Sequence, residues 1–355
     1  MKKNVDLVPL FVKQFELSKV SKGEVVAILH ETASRPEYIN AAETAANTLG
    51  AHVMSIAVPG MGWEAPGIVR GMFMGVPAVN DDTPLQDALK GALENSDFIV
   101  DLVSESILHI PMREDLLEAN KRILTIVETP DALERLFPTE EIKERAAKVR
   151  QRLEKAKTLH LTSKSGTDLT YDLIPGSGIK QYGYADEPGH WDNWPSALAS
   201  SYPEDGQVNG KLVIGAGDII FPLKRYVAEP ITLHIEGGYI KNIEGGLDAE
   251  LMKDFIDRWD DPELYSVSHM GFGLHPKAQW SALSFYDQSD IAGMDARSME
   301  GGFIFSTGPN RYVGRWSEVH FDICMRGTSA KLDGEEVLKD GKFVWPAFSE
   351  KATTK

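Results

Sequence analysis

The chain has 355 residues, enough for two hydrophobic cores, and its 53 acidic side chains outnumber 37 basic ones for a formal net charge of -16; phosphate backbones and anionic lipid are repelled, and no basic run offers steering, so neither nucleic acid nor a membrane is expected as a partner. One cysteine, Cys324, excludes an internal disulfide and a thiolate cluster, so a metal would have to be held by His, Asp or Glu. Asp6, Lys13, Gln14 and Glu16 interrupt the first apolar positions, and no apolar run approaches the ~18 residues of a membrane span, so a cytoplasmic protein is expected.

Residues 4–19 place Leu7, Leu10, Phe11, Phe15 and Leu17 at helical spacing, and after Lys22-Gly23 the apolar run 25–29 reads as a buried strand. The alternation continues with a helix over 38–49, whose Ala-rich face suits close packing, strand 53–58, helix 85–93, strand 98–103, helix 113–120 and strand 123–127. Helices alternating with continuous apolar strands predict a parallel sheet covered on both faces, a doubly wound α/β domain. The turn after the first strand is HETASRP rather than a Gly-rich loop, and GSGIKQYG at 176–183 follows no strong strand, so no nucleotide site is expected. A charged helix over 139–156, with Glu141 and Arg145 four residues apart, leads out of this domain and divides the chain into 1–157 and 158–355.

Short alternating strands follow: 158–162, 169–173 after a Ser165-Gly166-Thr167 turn, 212–214, 219–222 and 231–235, with Gly237-Gly238 turning into 239–243. Only 249–259 reads clearly as helix, and Asp-Gly pairs at 333–334 and 340–341 close further hairpins. The second domain is therefore expected to be a β-rich α+β unit, and the metal-binding one.

A histidine two residues before a carboxylate occurs three times, at His190 and Asp192, His234 and Glu236, and His320 and Asp322. In a strand such residues share a face, so His320 and Asp322 point together while Val319, Phe321 and Ile323 pack opposite. The His234 pair, beside the Gly-Gly turn, reads as a solvated strand face, and the His190 pair, in the Pro/Gly-rich DEPGHWDNWPS, as a pocket wall in a loop. Apolar neighbours set the His320 pair deep, where an unpaired carboxylate would be costly. One nitrogen and one oxygen are two-thirds of the two-histidine, one-carboxylate set that holds non-haem Fe(II) with open positions. The third ligand is open between His269 and His275 in SVSHMGFGLHP, where Gly271 and Gly273 permit close backbone approach. His109 follows the 98–103 strand, where parallel sheets bind ligands, although a loop histidine bonded to backbone is as ordinary a reading.

The segments SILHIP (106–111), YGYADEPGHWDNWPS (182–196), GDIIFPLK (217–224), SHMGFGLHPKAQW (268–280), MDARSMEGGFIFSTGPN (294–310) and VHFDI (319–323) resemble the 2,5-dihydroxypyridine 5,6-dioxygenase family over nearly the full length, with a more distant likeness to aminopeptidase T metallopeptidases. The resemblance implies one Fe(II) held by His269, His320 and Asp322, proton transfer by His109 from the first domain, and a substrate wall that includes Gln181, Asn193, Arg297 and Ser306. It implies insertion of both atoms of O2 between C5 and C6 of 2,5-dihydroxypyridine, or a related hydroxypyridine, giving an N-formylmaleamate-type product without flavin or nicotinamide. Gln181 and Asn193 stand where the family pattern has a glutamate and a histidine. Each puts an amide, which hydrogen-bonds but exchanges no proton near neutrality, in place of a titratable group. A substituted or differently charged hydroxypyridine is therefore expected as substrate. The competing readings are a metal-dependent aminopeptidase-like hydrolase, which needs bridging carboxylates such as Glu236, Glu244 or Glu250, and a non-catalytic binding protein that has lost its metal. Many short edge strands predict a closed homo-oligomer.

Overall fold

The structure, a computed structural model, describes residues 5–59, 84–104, 106–107, 110–287, 291–317 and 319–345. By packing, the chain divides into two units, one of residues 1–138, 181–196 and 286–294, the other of 139–180, 197–285 and 295–355. The division does not follow the single boundary expected at 157. The expected exit helix buries Ile142, Ala146, Val149 and Leu153 along one face, and its Arg145 and Arg152 pair with Glu300 and Asp333, all within the second unit. Its Arg145 also meets Glu141 at 3.2 Å, the contact that the four-residue spacing predicts.

In the first unit, strands β1 (Val25–His30), β2 (His52–Ala57), β3 (Phe98–Asp101) and β4 (Arg122–Thr125) are joined by a fifth, Trp191–Asn193, in the order β2, β1, β3, β4 and Trp191–Asn193, all parallel. Side chains alternate across this sheet. Val26, Ile28, Phe98 and Val100 pack on helices Leu7–Leu17 and Pro36–Thr48, whereas Ala27, Leu29, Ile99 and Ile123 pack on Pro84–Glu94 and Pro111–Glu118. Both faces are covered, which is why the strands read as continuous apolar runs. The expected loop around His190 is instead partly strand: Trp191–Asn193 pairs with β4, and buried Trp194 fills the first core. Pairing with a strand some 70 residues upstream in sequence leaves no local periodicity to read.

The second unit holds β5 (Thr158–Ser163), β6 (Asp168–Leu173), β7 (Ile179–Gln181) and, counting Trp191–Asn193 as β8, β9 (Leu198–Ser201), β10 (Pro203–Ile214), β11 (Ile219–Ile220), β12 (Arg225–Tyr226), β13 (Ile231–Glu236), β14 (Tyr239–Glu244), β15 (Val267–Gly273), β16 (Phe303–Thr307), β17 (Phe321–Met325), β18 (Thr328–Leu332), β19 (Glu335–Lys339) and β20 (Lys342–Phe343). These form an eight-stranded sheet, β14-β13-β10-β6-β5-β18-β19-β20, and a seven-stranded sheet, β12-β11-β17-β16-β15-β9-β7. Their described pairings are antiparallel, as the alternating patterns and turn residues predict. β10 runs far beyond the expected 212–214 because its first half is polar and bulged between Pro203 and Val208. The expected helix over 249–259 is Leu247–Asp257.

Candidate metal centre

Strands β15, β16 and β17 lie side by side and carry the key side chains. Val267 pairs with Thr307 and Met270 with Phe305, so two residues of β15, Ser268 and His269, face the single residue Ser306. This is a β-bulge, which interrupts the regular ladder beside His269. The Ser306 hydroxyl makes good the interrupted ladder: it accepts from the His269 backbone N–H at 2.9 Å and donates to the His269 carbonyl at 2.8 Å. On the next strand Ser306 is in register with Asp322. His320 and Asp322 share a face as strand alternation predicts, with His320 Nε2 2.9 Å from Asp322 Oδ1.

His269 Nε2 lies 2.9 Å from His320 Nε2, with the rings stacked at 4.7 Å and 23°, and 3.8 Å from Asp322 Oδ1. Donors held about 2.1 Å from a divalent ion at right angles stand about 3 Å apart, so two edges of this triangle match and the third is wider. Among the described residues, buried Asp322 Oδ1 has His320 Nε2 beside it at 2.9 Å but no hydrogen bond of good geometry, an expensive condition for a carboxylate unless a cation faces it. Burial pushes the His269 imidazole down to about 3, so one of its ring nitrogens offers a lone pair at neutral pH. Burial alone would raise the Asp322 carboxyl, but His320 and Arg297 outweigh it and hold the group well below the ordinary carboxylate range. Two imidazoles and an ionised carboxylate suit a transition-metal dication, and among the described residues these three form the group placed to hold one.

His275 stands outside that group, buried, with its Nδ1 accepting from the Lys277 N–H at 3.2 Å. His234 faces Glu244 at 3.3 Å with both side chains about half exposed, an ordinary solvated cross-strand pair. Asp192 is fully buried and accepts from the backbone N–H groups of Tyr182 at 2.7 Å and Asn193 at 2.8 Å, with His190 Nε2 at 3.2 Å; its oxygens are committed to holding this segment together. Gln181 and Asn193 are both buried, and Gln181 Nε2 has no hydrogen-bond partner among the described residues. Arg297 Nε donates to Asp322 Oδ2 at 2.8 Å. His109 lies outside the described residues. Upstream of it, buried Asp101 accepts from the N–H groups of Val103 and Ile107 and from the Ser106 hydroxyl, folding the chain tightly after β3, and burial pushes its carboxyl up to about 6.

Sequence reasoning missed the pairing of Arg297 with Asp322, the Asp192 hub and the bulge at His269. The tight Gly at 273 was the one available signal: a Cβ there would stand 2.7 Å from the Arg297 carbonyl oxygen and 2.2 Å from that of Met299, so the segment carrying Arg297 passes directly over β15.

Three comparisons with known proteins bear on the site. The sequence profile of the 2,5-dihydroxypyridine 5,6-dioxygenase family matches residues 6–345. A 2,5-dihydroxypyridine 5,6-dioxygenase of Pseudomonas putida is 40% identical over 350 residues, covering 98% of each chain. The solved structure of the Pseudomonas putida 2,5-dihydroxypyridine dioxygenase superposes with a TM-score of 0.91 at 39% identity, covering 99% of this chain and 100% of that one. The structure of AmpT from Thermus thermophilus matches with a TM-score of 0.62 over 95% of this chain and 99% of that one, at 14% identity, a likeness of fold alone.

Proposed function

Since the chain belongs to the 2,5-dihydroxypyridine 5,6-dioxygenase family, we propose that it opens the ring of 2,5-dihydroxypyridine, or of a close hydroxypyridine, with Fe(II) held by His269, His320 and Asp322. Both atoms of O2 enter between C5 and C6, the C5–C6 bond breaks, and the product is of the N-formylmaleamate type. The convergence of two imidazole nitrogens and one buried carboxylate oxygen within 3.8 Å carries this reading. Bound there, Fe(II) would supply the redox chemistry that makes O2 reactive toward the ring.

The chain's own groups do the rest. His269 and His320 present Nε2, and Asp322 supplies the negative charge that balances a dication. His109 takes the proton of the ring hydroxyl and returns one later, a role that imidazole chemistry permits near neutral pH. Gln181 and Asn193 hold polar groups of the ring by hydrogen bonds and relay no proton. Arg297 and Ser306 stand close behind the ligands, on Asp322 and on the His269 backbone. The aminopeptidase-like alternative draws no support from Glu236, Glu244 or Glu250, none of which belongs to the candidate metal group.

Anaerobically purified protein reconstituted with Fe(II) should consume O2 in step with 2,5-dihydroxypyridine. In the same assay His109→Ala should keep its iron and lose about 100-fold or more in turnover, the lower range for a positioned proton-transfer group. No O2 uptake by iron-loaded protein with any dihydroxypyridine, or amino-acid release from peptides with Zn(II) or Co(II), would overturn the reading. A cytoplasmic homo-oligomer completes the proposal. Light scattering at the 39.2 kDa of one chain would count against the oligomer, and recovery in a secreted fraction against the compartment.

A further inference from the structure

The two oxygens of Asp322 have different partners. Oδ1 faces His320 Nε2 at 2.9 Å and His269 Nε2 at 3.8 Å, whereas Oδ2 accepts from Arg297 Nε at 2.8 Å. Arg297 is only 8% exposed, and its guanidinium carbon lies 3.7 Å over the Phe221 ring. Phe221 in turn donates its backbone N–H to the Asp322 carbonyl at 3.0 Å. The Arg297 backbone is held from the other side, because its carbonyl fills the space that a side chain on Gly273 would occupy. The guanidinium is therefore locked by a ring and by two neighbouring segments before it meets the carboxylate.

We propose that Arg297 is a positioning residue: it ties up Asp322 Oδ2 so that the carboxylate turns one oxygen, Oδ1, toward the two histidines. A carboxylate held in this way would offer a bound ion one oxygen rather than two. The inference rests on the metal reading of His269, His320 and Asp322. A buried, charge-assisted hydrogen bond from a planar guanidinium is strong and directional, and partners that orient metal ligands typically change metal affinity about 10–100-fold when removed.

Co(II) is the probe, because its visible absorption reports its coordination. It is titrated without O2 into metal-free wild type, Arg297→Met and Arg297→Lys, with circular dichroism as the check on folding. Arg297→Met should raise the Co(II) dissociation constant about 10–100-fold and change the absorption envelope; Arg297→Lys, which keeps the charge but not the fork, should fall between. If Arg297→Met does not fold, Arg297→Lys decides by the same two readouts. An unchanged dissociation constant and spectrum overturn the proposal, and a raised KM for the hydroxypyridine alone would make Arg297 a substrate contact instead. If Asp322→Ala binds Co(II) as wild type does, the metal reading itself fails, a result distinct from unchanged binding in the Arg297 variants alone.

Discussion

Asp322 owes its chemistry to its neighbours rather than to its own side chain. A carboxylate as deeply buried as this would ordinarily hold its proton, yet His320 and Arg297 keep it ionised. His269 is kept uncharged by burial, so the pair supplies one neutral and one anionic donor at neutral pH. The proposed substrate wall follows a different logic, because Gln181 and Asn193 would offer hydrogen bonds and no proton exchange. A panel of dihydroxypyridines should therefore show wild type favouring a substituted or differently charged ring. Gln181→Glu with Asn193→His should raise kcat/KM for 2,5-dihydroxypyridine itself by up to about 100-fold. If wild type already turns over 2,5-dihydroxypyridine far better than every other member of the panel, the altered-specificity idea is wrong.

Three adjacent strands bring the donors together: in the register that pairs Met270 with Phe305, His269 falls opposite Ser306, which is itself paired with Asp322, so these side chains share one face. The bulge lies between that register and the pairing of Val267 with Thr307, and it leaves Ser268 as the extra residue. The Ser306 hydroxyl then stands in for the missing ladder bonds, as both acceptor and donor. Ser306→Ala strips both partners from the His269 backbone, where Ser306 itself is fully buried. The expected cost is about 1–3 kcal/mol in denaturant unfolding, with weaker retention of the metal. Stability and metal content both equal to wild type would show that the bulge holds without the hydroxyl, leaving Ser306 to the substrate alone.

The candidate centre lies wholly within the second unit, whose two antiparallel sheets differ in kind from the parallel sheet of the first. A metal that binds only folded protein stabilises the unit that holds it, by about 2.7 kcal/mol at a free concentration 100 times its dissociation constant. Hydrogen exchange with and without a chelator should accordingly show lost protection in peptides from β15, β16 and β17 and none in β1 to β4; equal loss in both units would mean that the ion is not held where proposed. Much of this organisation is legible in the linear chain. Continuous apolar runs between helices mark the covered parallel sheet, alternating runs with Gly turns mark the antiparallel ones, and a His-x-Asp in an apolar setting marks a shared strand face, since each of these patterns depends on neighbours two to four residues away. The strand at Trp191–Asn193, the choice of His269 over His275 in the triangle, the bulge beside it and the arginine on Asp322 leave no such trace. They arise from register and burial between segments far apart in sequence, where the partner, rather than the local pattern, sets the energy.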